Sequence, residues 1–241
     1  RLNAAGRMDH AATSLQLLIT KSEAEAEDLA QEIDEMNRQR QRLSRKFNEQ
    51  ALALAEVRKH DPIVIVESFD FTPGLVGLVA SRLVDTFNRP AIAIAFEGDV
   101  GRGSARSIPS VNIGQILDGC EDLLDRHGGH SQAAGFTLQR SRLEKFRERI
   151  LELTSDFNLA DSADLKIVID AEVSPKELLG DTYSFLQSLE PFGSGNPPPV
   201  FLTRRFEVIE ARKVGNEGEH LSMKVRENGI VWDAIAFRQG S

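Results

Sequence analysis

A long stripe of apolar residues marks the first quarter of the chain. On a highly charged segment, apolar positions recur at intervals of mostly three, four and seven residues, which is the pattern of an amphipathic helix. These positions are Leu29, Ile33, Met36, Leu43, Phe47, Leu54 and Val57. Ser22 followed by Glu25 predicts a capping box at the start. A helix over residues 22–59 would be ~55 Å long, and its imperfect stripe favours a connector packed along a domain over a coiled coil.

Short β-branched runs alternate with helical segments after residue 60. A strand at 63–66 is followed by a helix that Thr72 should cap and Pro73 should begin, and then by a strand at 91–96. Strand, helix and strand at this spacing form the βαβ unit of an α/β domain. The further elements expected are a strand within 102–108, a helix from Asn112 to about Arg126 that Gly128 and Gly129 stop, a strand at 133–138, and a helix at 143–154 capped by Ser141.

A change of character at residues 155–164 predicts a domain boundary. The following segment, 165–173, is rich in strand formers, and Ser174 with Glu177 predicts a capped short helix. Three later runs with turn signals between them suggest a small β-barrel with too few strands to close. They lie at 206–214, 221–225 and 230–237, after an irregular segment at 189–201.

Composition and charge fit a globular protein with a local function. Of 241 residues, 41% are hydrophobic and 27% are charged, and the net charge is −8. Such an acidic chain is unsuited to coating nucleic acid over its whole surface, but a local basic pocket is compatible with it. The single cysteine, Cys120, excludes an intramolecular disulfide and is interpreted as a buried apolar residue.

The sequence shows neither a membrane-spanning run nor a signal peptide. We therefore expect a cytoplasmic protein without a membrane partner. The chain begins with Arg1 instead of Met, inside an apparent motif, which indicates a piece of a longer protein.

The segment from Gly101 to Ile108, GRGSARSI, is the first candidate for phosphate binding. On a strand, Arg102, Ser104 and Arg106 share one face, and guanidinium forks match phosphate oxygens. Glycines such as Gly103 would let the backbone approach a ligand. A solvated hairpin with ordinary surface arginines explains the same residues.

Two further segments carry candidate chemistry. His130 follows Gly128 and Gly129 and is surrounded by small residues, which leaves room for a phosphate or a base edge, although a structural histidine is also compatible. Asn3 and Arg7 could contact a phosphate or tie the segment to a neighbouring domain. The isolated Asp and His residues form no metal-ligand motif, so the sequence predicts no catalytic metal centre in this chain.

Several segments together resemble the RecJ family of single-stranded-DNA-specific exonucleases. RLNAAGRMDH resembles the end of the catalytic DHH domain. FTPGLVGLVASRLVDTFNRPAIAIAF, GRGSARSI and GGHSQAAGF resemble the DHH-associated domain, and LEPFGSGNPPPVF resembles the linker into an oligonucleotide-binding (OB-type) domain. The expected α/β fold therefore divides into the end of the DHH domain at 1–21, a connecting helix at 22–61, the DHH-associated domain at 62–155 and a partial OB-like β-barrel at 165–241.

The resemblance implies a metal-dependent 5′→3′ exonuclease of DNA repair and recombination that binds single-stranded DNA with a 5′-phosphorylated end. Its manganese or magnesium would belong to a DHH domain preceding Arg1, so this chain should hold no cofactor and should not hydrolyse DNA alone. Ser104 and Arg106 correspond to the groups that grip the 5′ phosphate. His130 corresponds to the histidine near the scissile phosphate and is the catalytic candidate. The remaining candidates for DNA binding are Arg7, Asn3, Arg102, Gly103, Gly128 and Gly129.

The sequence is expected to depart from the family at three points. The DHH domain that would precede Arg1 is missing, the OB-type domain lacks the strands that normally follow DAIAF, and Ala105 replaces a frequent glycine. Two alternatives are a DHH-superfamily phosphodiesterase for short oligonucleotides or cyclic dinucleotides, and a non-catalytic RecJ-like replication subunit. The β-rich tail disfavours the first, and the intact Ser104, Arg106 and His130 disfavour the second.

Overall fold

The chain folds into two compact units. The computed structural model describes residues 1–155, 167–193, 195–215 and 218–240, and the units are Arg1–Leu165 and Lys166–Ser241. All but the first residue of the boundary region expected at 155–164 lies outside the described residues.

Three helices open the first unit, and the predicted long helix is present. They are α1 (Asn3–Met8), α2 (Ala12–Ile19) and α3 (Glu23–Glu56). The Ser22 side chain caps α3 by accepting a hydrogen bond from the N–H of Glu25 at 3.3 Å. The predicted capping box is wrong in its second half. The N–H of Ser22 donates to Thr20, and the Glu25 carboxylate accepts from Thr20 and Gln16.

The buried face of α3 departs from the predicted stripe at its C-terminal end. Phe47, Ala51 and Ala55 are buried in a core with the sheet and the next helix. Leu54 and Val57 are instead 43% and 85% exposed. Positions four apart lie on one helical face, and the small alanines let α3 approach its neighbours closely. The helix therefore packs along the domain, as expected of a connector.

A five-stranded mixed sheet forms the centre of the first unit. Its strands run in the order β1-β2-β3-β5-β4, and only β1 and β2 are parallel. The elements are β1 (Val64–Ser68), α4 (Val76–Phe87), β2 (Ala91–Glu97), β3 (Val100–Arg106), α5 (Ile113–Asp118), β4 (Arg126–His130), β5 (Ala133–Gln139) and α6 (Leu143–Leu153). The βαβ unit expected from the sequence is β1-α4-β2.

Two hydrophobic cores cover the two faces of this sheet. One core joins α3 and α4 to the face that carries Val64 and Ala93. The other joins α5 and α6 to the face that carries Ile94 and Phe136. The first is called the α4 face below, and it carries the candidate site.

Two helix caps in this unit were predicted wrongly. The helix after β1 begins at Val76 without a side-chain cap, and Thr72 instead accepts a turn bond from the N–H of Leu75 through its carbonyl. Likewise, α6 begins without a side-chain cap at Arg142, so the cap expected from Ser141 does not form.

The segment after Asn112 also differs from its prediction. Asn112 caps α5, but the helix ends at Asp118, and a short 3₁₀ turn follows. Gly128 and Gly129 do not stop a helix, because they lie within strand β4. Apolar spacing alone cannot distinguish a helix from a short turn followed by a strand.

The second unit is β-rich. A 3₁₀ turn at Pro175–Leu178 has the predicted capping box of Ser174 and Glu177. Strand β6 (Ala171–Glu172) pairs in parallel with β7 (Phe201–Leu202), and helix α7 (Asp181–Ser188), which the sequence did not predict, lies between them in the chain. The three predicted strands form an antiparallel sheet with β9 at its centre; they are β8 (Glu207–Val214), β9 (His220–Glu227) and β10 (Ile230–Ala236).

Candidate nucleic-acid interface

Three neighbouring strands present their side chains in register on the α4 face. Paired residues of adjacent strands point to the same side of a sheet. The register of β3, β5 and β4 therefore gives three rows, which are Arg102–Thr137–Arg126, Ser104–Gly135–Gly128 and Arg106–Ala133–His130. The predicted alternation of Arg102, Ser104 and Arg106 on one face of a strand is present.

A basic pocket forms where β3 meets the first turn of α4. The guanidinium of Arg106 donates from Nη1 to Oγ of Ser104 at 2.9 Å and to the carbonyl of Ala105 at 2.8 Å. A Cβ atom placed on Gly77 would lie only 2.9 Å from Nη2 of Arg106 and 3.4 Å from Oγ of Ser104. The pocket therefore combines a guanidinium and a hydroxyl beside the first turn of α4.

Arg7 brings a second guanidinium to this pocket. Its Nη1 atom donates to the carbonyl of Gly74 at 3.3 Å, just before α4. The backbone there packs so closely that a Cβ atom on Gly74 would lie 2.0 Å from the carbonyl oxygen of Arg7. Burial, and then the positive charge of Arg7, lower the pKa of Arg106. Within the described part of the chain, neither arginine has a carboxylate partner, so the basic pocket comprises Arg7, Gly77, Ser104 and Arg106 and favours an anion.

The sheet beside this pocket is bare. A Cβ atom on Gly128 would meet no atom within 4 Å, and one on Gly135 would meet only the carbonyl oxygen of Gly103, at 3.8 Å. Ala133, in the next row, is also small. Gly128, Gly135 and Ala133 form a surface that we call the glycine floor. It extends from the basic pocket towards His130 and leaves room for a ligand.

His130 lies across the glycine floor from Arg106. The two residues are separated by two strand spacings, about 10 Å between their Cα atoms, and the His130 side chain is exposed. Nδ1 of His130 accepts a hydrogen bond from the N–H of Gln132 at 3.3 Å. A neutral imidazole whose Nδ1 accepts must carry its proton on Nε2. His130 therefore carries an N–H donor at Nε2 on the exposed α4 face of the sheet.

The other candidates are placed differently. Gly103 is buried on the opposite face, where a Cβ atom would lie 2.1 Å from the ring of Phe136, so its role is packing. Gly129 also faces away from the pocket, against the backbone of Ala133 and Ala134. Asn3 is exposed at the start of α1, one turn before Arg7. Arg102 is exposed at the far end of the row that it shares with Arg126.

Gly77 is the pocket residue that the sequence analysis missed. A glycine in an α-helix costs about 1 kcal/mol relative to alanine. An isolated glycine in a helical pattern therefore signals a packing or ligand requirement. Gly77 stands in the first turn of a strongly apolar helix, and this was the available signal.

Across the described residues, no group of three or more His, Cys, Asp or Glu side chains is placed to hold a metal ion. These residues do not fit a catalytic manganese or magnesium site. Burial raises the pKa of Cys120 to about 11, which agrees with its interpretation as an inert core residue. Every helix in the described residues is too short or too polar to span a lipid bilayer.

Comparison with known proteins finds matches along the whole chain. The family described as DHHA1 domain matches residues 60–156, and that described as RecJ OB domain matches residues 169–241. The single-stranded-DNA-specific exonuclease RecJ of Bacillus subtilis is 34% identical over 244 aligned residues, which cover 100% of this chain. Over its whole length the chain is similar to RecJ proteins, with a DHHA1 domain followed by a RecJ OB domain. RecJ of Thermus thermophilus is also 34% identical over 100% of the chain.

The fold agrees with that of a solved RecJ structure. The crystal structure of Thermus thermophilus RecJ in complex with Mn²⁺ superposes with a TM-score of 0.82 over 100% of this chain, at 32% identity. The match covers 35% of that protein. The chain likewise spans about a third of its curated RecJ relatives, 31% of the Bacillus protein and 34% of the Thermus protein.

Proposed function

We propose that this chain is the substrate-binding part of a metal-dependent 5′→3′ exonuclease that degrades single-stranded DNA in repair and recombination. The basic pocket holds the 5′-terminal phosphate, and the strand continues over the glycine floor past His130. The supporting comparison is the similarity, over the whole of this chain, to about a third of the length of RecJ proteins named as single-stranded-DNA-specific exonucleases.

The observation that supports this proposal most strongly is that two arginine side chains lie close together with no carboxylate partner among the described residues. Arg7 and Arg106 come from α1 and β3 and meet beside the first turn of α4. The two neighbouring guanidinium groups, of which that of Arg106 is partly desolvated, repel one another, and a bound anion removes that cost. A terminal phosphate is close to doubly charged at neutral pH and offers three acceptor oxygens. The hydroxyl of Ser104, which accepts from Arg106, can donate its own proton to such a phosphate.

We propose that a DHH domain preceding Arg1 holds manganese or magnesium and carries out hydrolysis. The support is the similarity to Thermus thermophilus RecJ, whose crystal structures contain Mn²⁺ or Mg²⁺. His130 would then approach the scissile phosphate from this side and donate from Nε2 to a phosphate oxygen. The part played by this chain is to hold and orient the strand.

The chain alone should bind single-stranded DNA and leave it intact. The purified chain, incubated with Mn²⁺ and labelled 5′-phosphorylated single-stranded DNA, should retain the label on a filter and release no nucleotides. The same sequence in blunt duplex form is the control for binding. Metal-dependent degradation that survives removal of contaminating nucleases would contradict the location of the catalytic centre, and no retention would contradict the binding function.

The alternative of a small phosphodiesterase is less well supported. The RecJ OB domain match covers residues 169–241, beyond the DHHA1 match that ends at residue 156. A non-catalytic replication subunit would not need the intact basic pocket. Both observations favour a nuclease.

Gly77→Ala should separate binding from stability. The added methyl group would crowd Nη2 of Arg106 at 2.9 Å and displace the guanidinium from the pocket. Affinity for a 5′-phosphorylated strand should fall about tenfold, which corresponds to about 1.4 kcal/mol. The free energy of unfolding should stay the same or rise by up to about 1 kcal/mol, because alanine favours the helix. Fluorescence anisotropy and urea denaturation measure the two quantities. Unchanged affinity would show that the space beside Gly77 is not used.

A further inference from the structure

A second pair of arginines lies on the α4 face beyond the basic pocket. Arg102 on β3 and Arg126 on β4 flank Thr137 on β5 in one register row. Their Cα atoms are two strand spacings apart, about 10 Å. Both arginines are exposed, and Thr137 is partly buried between them.

Arg126 has no protein partner among the described residues. The nearest acid in sequence, Asp125, is engaged by Nε2 of Gln139 at 2.6 Å and by Nη1 of Arg142 at 3.3 Å. Asp118 pairs with His127, whose side chain leaves the strand on the opposite face. Arg126 therefore presents an uncompensated positive charge to solvent, in an acidic protein with net charge −8.

The glycine floor joins this arginine to the basic pocket. The row with Gly128 lies between the row of His130 and the row of Arg126, and neighbouring rows are two residues apart, ~6.6 Å along a strand. Since Gly128 and Gly135 have no side chains, nothing on the floor itself blocks a path from Ser104 to Arg126. The distance from Ser104 to Arg126 exceeds the size of one phosphate group, so one phosphate in the basic pocket and another beside Arg126 could be bound at once.

We propose that Arg126, with the hydroxyl of Thr137, binds an internucleotide phosphate of the strand whose 5′ end occupies the basic pocket. This inference rests on the proposed function and adds a second contact point to it. The site recognises a polynucleotide backbone without regard to base, because a single guanidinium on an open surface contacts phosphate oxygens only. It distinguishes a strand from a mononucleotide, which has no internucleotide phosphate.

The test compares two ligands on the 241-residue chain. One is thymidine 5′-monophosphate, measured by competition. The other is a 5′-phosphorylated oligothymidylate of about twelve nucleotides, within the range that single-strand-binding folds cover. Arg126→Ala should lower affinity for the oligonucleotide about three- to tenfold, and should flatten its log K against log salt slope by about 0.7. Affinity for the mononucleotide should not change.

Conservative and distant variants complete the design. Arg126→Lys should keep most of the affinity, because a point charge suffices for a single exposed phosphate, whereas Thr137→Val should reduce it slightly. Arg42→Ala, on the exposed surface of α3, is the control and should change neither ligand. The inference would be overturned if Arg126→Ala lowered the affinity for both ligands to the same degree, or if it left the salt dependence of oligonucleotide binding unchanged.

The basic pocket has a separate readout in the same experiment. Loss of mononucleotide affinity in Arg106→Ala supports the proposed function, and no loss overturns it whatever Arg126→Ala does. An unaltered chain that binds neither ligand would overturn the proposed function and this inference together.

Discussion

Arg106→Ala is expected to weaken binding of 5′-phosphorylated single-stranded DNA roughly ten- to a hundredfold, since one charge-assisted hydrogen bond contributes ~1.5–3 kcal/mol. The substitution removes the guanidinium that Ser104 orients at 2.9 Å and leaves Arg7 as the remaining cation of the pocket. Strands with a 5′ hydroxyl should lose less, because they place no doubly charged phosphate there. Titration of labelled strands with the purified chain measures both losses.

Two companion variants make this result specific. Arg106→Lys should restore only part of the affinity, because an ammonium group cannot form the two-pronged contact of a guanidinium. Arg42→Ala should change little beyond a small salt-dependent effect. If Arg106→Ala lowers the affinity for 5′-phosphorylated and 5′-hydroxyl strands equally, Arg106 contacts phosphates anywhere along the DNA backbone and not the 5′ end in particular. No loss at all would make it an ordinary surface arginine.

Gly129→Ala should destabilise the first unit by about 2–4 kcal/mol. A Cβ atom at this position would lie 2.4 Å from the carbonyl oxygen of Ala133 and 2.5 Å from the Cα atom of Ala134. These are backbone atoms of the paired strand, so they cannot move aside as the end of a side chain can. Relief of the clash requires the β4–β5 hairpin to open, and this hairpin positions His130. Urea denaturation followed by circular dichroism measures the free energy of unfolding.

The neighbouring glycine is the matched control. A Cβ atom on Gly128 would meet no atom within 4 Å, so Gly128→Ala should change the free energy of unfolding by no more than about 0.5 kcal/mol. If Gly128→Ala and Gly129→Ala are equally stable, the close approach of β4 to β5 does not require a glycine at position 129.

Much of the fold follows from local sequence signals. The charged stripe, the helix breakers and the β-branched runs are sufficient for α3, the β1-α4-β2 unit and the three strands of the second unit. Secondary-structure prediction from the sequence failed where tertiary packing overrides the local preference of the residues. Gly128 and Gly129 resemble a helix stop, but both lie in strand β4. Gly128 leaves the α4 face free of side chains, and Gly129 permits the close pairing of β4 with β5.

The candidate site was only partly predictable from residue patterns. Alternation on a strand was enough to place Ser104 and Arg106 on one face. It could not bring Arg7 to them, because that contact depends on α1 packing against Gly74, 67 residues away in sequence. The residue pattern left open whether Arg7 contacts a phosphate or ties its segment to a neighbouring domain, and the resemblance to RecJ proteins implied the first of these. Similarly, Arg126 became a candidate only when the sheet register placed it on the same face as Arg106.

The end preference of the unaltered chain distinguishes a pocket for the 5′ phosphate from a general contact with the DNA backbone. Three strands of one sequence are compared by titration at one salt concentration; they carry a 5′ phosphate, a 5′ hydroxyl or only a 3′ phosphate. We expect the 5′-phosphorylated strand to bind about tenfold more tightly than the other two, because it makes one additional charge-assisted contact. Equal affinity for all three strands, or a preference for the 3′ phosphate, would contradict the assignment of the basic pocket to the 5′ end.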